Sequence, residues 1–505
     1  MASVFIVKDS GAATMPNLAR VLELRPRNLL SMESRPAWLA AVIQDVPRRF
    51  LDREWMYVPV LADGTLHPAV VRWAASNMTE TSARGYAYDV AVYFRFLGER
   101  GLAWPHVDRN VVDEFLIARR EVVGPTTLKR TITPLLALHD RAVDMRFIAF
   151  NPMPRGEINA TKGRKQSAAI SYPHASIMRW RREGVLGLGS AREETLMMRD
   201  RNLAYVDLLY QTGMRRLEGH GLFYFEVPSR PLRGEVLVGR IPGALSKGRP
   251  EVGRLVYLDR SHRATIQDYF VGAREVDVAF GKKSGIYEND PEALIVKKVN
   301  TRDGIPSTVL VSRGSVDAPG KWRKLDLIDL RERMHMYEID EADGKRRPLL
   351  AWLGDGGKPL DIRRWNRIFR EASARTERSD GTGKIDVHPH TLRHCFAMQL
   401  YIAAAMRNEE RRRHVSESDL TRIVNEMNAW KHVKDRLGHS NVETTMSHYL
   451  APLQAMEYAQ ILARRDDAPS TITRTVTDED NWAMVTSIDE AMRNIAQVDD
   501  RVIDA

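Results

Sequence analysis

The stretch HPHTLRHCFA, residues 388–397, places three histidines, an arginine and the single cysteine of the chain close together. These residue types suit a metal site, a cysteine nucleophile with a histidine base, or a group of donors for an anion. His388, His390 and His394 are possible zinc ligands, but no glutamate follows the first histidine and no second cluster of acids or cysteines is present. Cys395 faces away from its neighbouring histidine on a helix, which favours a packing role. We therefore prefer the anion hypothesis and expect neither metal nor cofactor.

Three further stretches carry residues of similar chemistry. They are TGMRRLEG (212–219), SKGRPEVGR (246–254) and LGHSNVETTMSHYL (437–450). Cleavage of a phosphodiester concentrates negative charge on its non-bridging oxygens, and guanidinium forks suit that charge because they donate paired hydrogen bonds and keep their proton. Arg215 and Arg393 are the candidates for this role. His390 and His439 are candidates for further donors or for proton exchange near neutral pH.

A tyrosine is the candidate nucleophile. A phenol with a pKa of about 10 is only about 0.1% ionised at pH 7, a deficit of about 4 kcal/mol that nearby cations and a proton acceptor must supply. Tyr449 follows His439 along the chain and adjoins His448. These neighbours favour Tyr449 as the attacking group.

In this order, the four stretches resemble the motifs of the tyrosine recombinase (phage integrase) family. Those motifs are Thr-Gly-hydrophobic-Arg, a hairpin Lys, His-x-x-Arg, Leu-Gly-His and a late Tyr, and the resemblance covers roughly residues 180–455. It implies six catalytic residues: Arg215, Lys247, His390, Arg393, His439 and Tyr449. Tyr449 would form a 3′-phosphotyrosyl link to DNA and Lys247 would protonate the leaving hydroxyl, without metal or ATP.

The sequence departs from the family pattern at two places. Arg216 adjoins Arg215, so the first arginine has two candidates; Glu218, at the usual Arg-x-x-Glu spacing, favours Arg215. The interval from Leu-Gly-His to Tyr449 is one residue longer than the common pattern.

Hydrophobic periodicity predicts a mainly α fold with a small β-sheet. Steps of three and four predict helices from Tyr86 to Leu97, from Val111 to Arg120 and after Pro125, where Thr126 or Thr127 would be the cap. GEVLVGRI (234–241) and GRLVYL (253–258) alternate as the strands of a hairpin, and ALIVKKV (293–299) and STVLVS (307–312) also read as strands. A further helix is expected over DIRRWNRIFREASART (361–376).

These patterns and the resemblance together predict the organisation of the chain. We expect an N-terminal extension (1–65), a helical core-binding domain that clamps DNA (66–155), a basic linker (156–175), an α+β catalytic domain (176–463) and an acidic tail (464–505). Insertions are expected near 259–349 and 406–430. Each either contacts DNA or a neighbouring subunit or decorates the surface, and surface decoration is the simpler interpretation of both. In the tail, apolar residues at helical spacing follow Thr477.

The charge of the chain fits two interpretations equally well, a polyanionic partner and a solvated basic surface. The net charge is +10, but residues 466–505 contain three arginines and ten acidic residues, so the remainder carries +17. The resemblance implies double-stranded DNA as that partner. It also implies four protomers on two DNA sites, with the C-terminal helix exchanged between neighbours.

Two alternative functions remain open at this point. A type IB topoisomerase has similar chemistry, but usually carries a lysine where His390 stands. A DNA-binding protein with an inactive site would bind DNA with steep salt dependence and never join it. No apolar run approaches the roughly 20 residues of a membrane span, so we expect an intracellular protein. Together with the resemblance, this leads us to expect a location in the bacterial cytoplasm, on the nucleoid when bound to DNA.

Overall fold

The structure is a computed structural model, which describes residues 21–24, 56–61, 67–76, 80–154, 172–188, 196–232, 236–246, 253–380, 385–413, 429–438, 441–443 and 445–446. The chain divides into two compact units, Met1–Lys165 and Gln166–Ala505. The predicted fold class is confirmed, because the described residues are mainly helical and carry small sheets. The expected tail helix after Thr477 and most of the expected linker lie outside the described residues.

None of the helices described is both long enough and apolar enough to cross a bilayer.

The first unit contains a strand pair and four α-helices among its described residues. These are β1 (Val21–Leu24), β2 (Met56–Pro59), α1 (Pro68–Ala74), α2 (Glu80–Glu99), α3 (Arg109–Val122) and α4 (Pro125–Asp144). The two strands pair antiparallel. Met56 and Val58 are buried in the same hydrophobic cluster as α2 and α4. Residues 56–59 therefore belong to this core, whereas the sequence placed them in an N-terminal extension.

Periodicity located α2, α3 and α4 correctly but not every helix start, and α1 was not predicted. Tyr93 and Leu97 of α2 are buried, as predicted. The predicted cap of α4 at Thr126 or Thr127 is wrong: the helix begins at Pro125, with Gly124 as N-cap. Proline suits the first helical position because its missing N–H would have no intrahelical partner there.

The second unit is built around a helix that is buried on all sides. Its elements are α5 (His174–Arg179), a π-helix (Trp180–Val185), α6 (Leu196–Thr212), α7 (Arg216–His220), β3 (Arg230–Pro231), β4 (Val236–Ile241), β5 (Arg254–Asp259), α8 (Arg260–Val271), α9 (Ala273–Lys283), β6 (Leu294–Arg302), β7 (Ile305–Arg313), β8 (Lys321–Lys324), α10 (Leu330–Met334), β9 (Met336–Ile339), β10 (Arg346–Pro348), α11 (Ile362–Asp380), α12 (Pro389–Arg413) and α13 (Ala429–Leu437). Residues 204–210 of α6 are buried without interruption. The Tyr205 ring stacks on Trp365, with ring centroids 3.6 Å apart, and meets Trp352 edge-on at 5.2 Å. This aromatic packing fixes α6, whose C-terminus enters the candidate site.

Two sheets lie among the described residues of this unit. The first has the order β3-β4-β5, and its β4–β5 pair is the predicted hairpin, in register from Val236 opposite Asp259 to Ile241 opposite Arg254. The second has the order β10-β9-β6-β7-β8 and contains both other predicted strands as β6 and β7. Strands β8, β9 and β10 were not predicted.

The stretch 259–349 is only partly a surface addition. Ile266 and Tyr269 of α8 are fully buried in the main core of the unit, together with Trp352. The interpretation as surface decoration is therefore wrong for α8. The five-stranded sheet has a hydrophobic cluster of its own, which includes Val309 and Phe223.

Candidate active site

Three of the six predicted catalytic residues lie in the described part of the chain. Arg215 is the N-cap residue of α7, and His390 and Arg393 lie in the first turns of α12. Lys247, His439 and Tyr449 lie outside the described residues. The geometry below therefore concerns the two arginines, the first histidine and the groups that surround them.

Glu218 is the point at which the arginines meet. It is the third residue of α7 and is fully buried. Its carboxylate accepts hydrogen bonds from the Arg215 backbone N–H at 2.8 Å and from Arg215 Nη1 at 2.7 Å. A glutamate at this position satisfies a donor at the helix start, which explains why the helix begins at this arginine. The Arg215 side chain is 27% exposed, so it is accessible to a ligand from solvent.

Arg254 is a second partner of the same carboxylate. Its Nη2 donates to Glu218 Oε2 at 2.8 Å and its Nη1 donates to the Arg436 carbonyl at 2.6 Å. Arg254 is the first residue of β5. Arg254 lies within SKGRPEVGR but was not predicted as a site residue, because an arginine beside a hairpin turn has no sequence feature that separates it from a solvated surface arginine.

Arg393 connects the other stretches. Its Nη1 donates to the Gly213 carbonyl and its Nη2 to the Leu437 carbonyl, both at 2.6 Å. Nη1 also lies 3.9 Å from Glu218 Oε2, and the residue is only 1% exposed. Residues from TGMRRLEG, HPHTLRH and LGHSNVETTMSHYL thus meet at one buried guanidinium.

The electrostatics of this cluster favour an anion. Burial by itself raises the pKa of the Glu218 carboxyl, but the guanidiniums of Arg254, Arg393 and Arg215 outweigh burial and hold that pKa below its ordinary value. The carboxylate is therefore ionised at neutral pH. Three guanidiniums around one carboxylate leave an excess of two positive charges at the site, which we call the arginine cluster: Arg215, Glu218, Arg254 and Arg393.

The C-terminus of α13 docks on the arginine cluster. The carbonyls of Arg436 and Leu437 accept from Arg254 and Arg393, as expected because the last carbonyls of a helix lack intrahelical partners and attract cations. Gly438 follows with a φ of +67°, and a Cβ added to it would lie 2.9 Å from Arg254 Cδ. The glycine of Leu-Gly-His is thus required both by its backbone conformation and by the close arginine.

The alternative first arginine has a different environment. Arg216 Nη1 donates to Asn366 Oδ1 on α11, and the Arg216 carbonyl accepts from Tyr205. The Arg216 side chain is therefore directed to the exposed Asn366, whereas the Arg215 side chain is directed to the buried Glu218.

The histidine-rich stretch is spread over different environments. His390 is exposed, and its ring lies edge-on to that of His394, with centroids 4.6 Å apart. His388 is exposed, and its Nε2 lies 3.5 Å from Asp386 Oδ1. Within the described ranges, no three His, Cys, Asp or Glu side chains are grouped as metal ligands would be.

Cys395 occupies the hydrophobic core of the second unit. Burial raises the pKa of its thiol to about 11, and the Tyr172 backbone N–H lies 3.4 Å from Sγ. A protonated, buried thiol is unsuited to attack, so the packing role predicted for Cys395 is confirmed.

The chain is similar to several solved structures. One is the XerH site-specific recombinase bound to palindromic difH substrate in a post-cleavage complex: 14% identity, TM-score 0.48, 88% of this chain and 99% of that chain covered. Another is the Tn1549 transposon integrase with circular intermediate DNA, at 14% identity and TM-score 0.43, covering 74% and 90%. A lambda integrase dimer bound to a COC′ core site has 13% identity and TM-score 0.36, with 74% and 90% covered. No protein-family model and no curated protein matches the sequence.

Proposed function

We propose that this chain is a site-specific DNA recombinase of the tyrosine recombinase type, which cleaves and rejoins strands through a 3′-phosphotyrosyl intermediate. The observation that carries the proposal is the convergence of Arg215, Arg254 and Arg393 on the buried Glu218. These arginines come from widely separated parts of the chain. A purely structural ion pair would need one cation for one carboxylate, and this site has three.

The charge of the arginine cluster suits the transition state of the reaction. A phosphodiester and an attacking phenolate together carry two negative charges, and the cluster has an excess of two positive charges. Preorganised donors of this kind stabilise developing charge without reorganisation. Arg215, which is partly exposed, contacts a non-bridging oxygen; Arg393 and Arg254 contribute charge and hold the end of α13 in place.

The chemical step balances without a cofactor. The Tyr449 oxygen forms a bond to phosphorus, and the bond from phosphorus to the 5′ oxygen breaks. His439 or His390 accepts the phenol proton, and Lys247 donates a proton to the leaving 5′ oxygen. A 5′-hydroxyl from another strand then attacks the phosphotyrosine and releases the tyrosine. Because a phosphodiester is retained throughout, no ATP is consumed.

The partner is double-stranded DNA, which the net charge of +17 on residues 1–465 favours. We further propose that four protomers assemble on two DNA sites in the bacterial cytoplasm and exchange the acidic C-terminal segment. Sedimentation of the complex with a duplex tests this assembly: a mass of four chains with two duplexes is expected, and a stable complex of one chain per duplex would contradict it.

Trapping of the covalent intermediate tests the proposed function. A duplex is selected for binding from a randomised pool, nicked near its centre and incubated with the chain. We expect a denaturant-resistant, protease-sensitive adduct, which Tyr449→Phe abolishes and the matched control Tyr458→Phe retains. Arg215→Ala is expected to bind the duplex but to form the adduct about 10²–10³-fold more slowly. An adduct of undiminished yield in Tyr449→Phe would refute the assignment.

A further inference from the structure

The five-stranded sheet has one face that the proposed chemistry does not use. In the register of β6, β7 and β8, Lys298 lies opposite Leu310 and Leu310 opposite Trp322. The next row is Asn300, Thr308 and Lys324. Residues directly opposite each other in antiparallel strands point to the same side of a sheet. We call this side the Trp322 face: Lys298, Asn300, Thr308, Leu310, Trp322 and Lys324.

The Trp322 face is the solvent side of the sheet. On the other side, Val309 and Val311 are buried in the hydrophobic cluster of the sheet. Successive residues of a strand alternate between the two sides. Trp322 accordingly is 45% exposed, and Lys298 and Lys324 are exposed. A large aromatic ring is thus held in solvent in the same row as Lys298 and beside the row that carries Lys324.

The charge of this region selects a polyanion. Residues 294–324 contain seven lysines and arginines and two acidic residues, a net charge of +5. Arg323 is neutralised by Glu332, at 2.7 and 2.8 Å, and Lys297 donates to the Ala318 carbonyl. Lys298 and Lys324 project from the same side as Trp322. Lysines beside an exposed aromatic ring are typical of surfaces that bind nucleic acid, where lysines contact phosphates and rings pack on bases or sugars.

Strand β8 is connected to the hairpin that leads to the candidate active site. Strand β8 runs directly into the turn at Leu325–Leu327. In that turn, the Asp326 carboxylate accepts from the Gly243 N–H at 2.9 Å and pairs with Arg240 at 2.7 Å. Gly243 follows β4, in the hairpin segment that carries Lys247 and leads to Arg254. The hairpin and β8 are therefore held together.

We propose that the Trp322 face binds the backbone of the DNA duplex flanking the cleaved position, with Lys298 and Lys324 on phosphates and Trp322 packed against deoxyribose. The identity of the ligand as duplex DNA rests on the proposed function. The face adds length to the binding site and affinity, and takes no part in strand cleavage.

The test compares a long duplex, which extends beyond the cleaved core on both sides, with a short duplex restricted to the core. The double variant Lys298→Gln/Lys324→Gln should bind the long duplex more weakly, and the slope of log affinity against log salt should become shallower by about 2, since each lost phosphate contact removes about 0.9. Trp322→Ala should also weaken binding of the long duplex, and Trp322→Phe should retain most of it. Binding of the short duplex and adduct formation should be unchanged in all these variants.

Lys345→Gln is the matched control, because Lys345 is exposed beside β10, at the opposite edge of the same sheet. If the double variant has the salt slope and affinity of Lys345→Gln on the long duplex, the inference is wrong. Adduct formation separates this result from a failure of the proposed function. If the double variant has the shallower salt slope but the parent protein forms no adduct, the Trp322 face remains a DNA contact and the recombinase proposal is refuted.

Discussion

The side chain of Arg254 combines two contacts that a lysine cannot reproduce. Its fork donates to Glu218 with one terminal nitrogen and to the Arg436 carbonyl with the other. A lysine would keep the charge but offers a single nitrogen on a flexible stem. The position of the α13 C-terminus therefore depends on the shape of the guanidinium as well as on its charge.

For Arg254→Lys we expect adduct formation to slow by at least about tenfold, because a lost hydrogen bond to a charged group corresponds to about 1.5–3 kcal/mol. DNA affinity should change by less than about threefold. The matched control is Arg181→Lys, which breaks a similar fork to buried Asp207, at 2.7 and 2.8 Å. Single-turnover kinetics of both variants provide the measurement. Equal slowing in the two variants would indicate general destabilisation and would contradict the positioning role.

His220 of α7 is a buried neutral histidine. The Trp365 indole N–H donates to its Nδ1 at 3.0 Å, and an indole is a donor only, so Nδ1 carries no proton. Burial, and secondarily the Arg216 charge, lowers the pKa of His220 from 6.5 to about 4. The unfolded chain binds a proton below pH 6.5, whereas the folded chain binds it only near pH 4. Stability from this residue is therefore lost as the pH falls through that window.

The variant His220→Asn keeps an acceptor for Trp365 and removes the titration. We expect its free energy of unfolding to fall less steeply between pH 6.5 and 4 than that of the parent chain, by about 3 kcal/mol over the window. Denaturant titrations at several pH values measure this. If the free energy of unfolding of His220→Asn has the same pH dependence as that of the parent chain, His220 does not titrate on unfolding.

At the scale of elements, the C-terminus of α13 is the part of the site that depends most on backbone geometry. Gly438 has a φ of +67°, and a Cβ added to it would lie 2.9 Å from Arg254 Cδ. Because His439 is the next residue, a shift at Gly438 is carried directly to a predicted catalytic group.

Gly438→Ala is expected to slow adduct formation by at least about tenfold, since the added methyl group must displace Arg254. Strain of about 1–2 kcal/mol from the left-handed backbone is also expected. Gly344→Ala is the control for that strain, because Gly344 has a φ of +68° with no atom within 4 Å of an added Cβ. The two variants should be similarly destabilised in thermal unfolding but differ in cleavage rate. Similar cleavage rates would contradict the contact with Arg254 as the cause.

The elements that the sequence predicted were those with enough residues to display a period. Helix α11 and the β4–β5 hairpin are examples. Strand β8 was not predicted, because four residues, KWRK, are too short to show alternation. Helix α8 was also missed, although Ile266, Tyr269 and Phe270 are buried at helical spacing. In that case the signal was present in the sequence.

At the scale of the whole molecule, the order of motifs predicted which stretches meet, but not which side-chain contacts join them. Sequence placed Arg215 and Arg393 in one site. It did not predict that Arg254 would share Glu218 with them, because such a contact depends on packing between distant segments. The packing of residues 56–59 in the first unit was likewise not predicted, because a single short apolar run does not reveal which residues cover it.

The central claim is that a phenol, activated beside the arginine cluster, becomes covalently linked to DNA. The most direct measurement is to digest the trapped protein–DNA complex with protease and nuclease and to locate the residual nucleotide by mass spectrometry. We expect a single modified peptide, with the nucleotide phosphate on Tyr449. Attachment to any other residue, or the absence of a modified peptide from a complex that has cleaved its DNA, would contradict it.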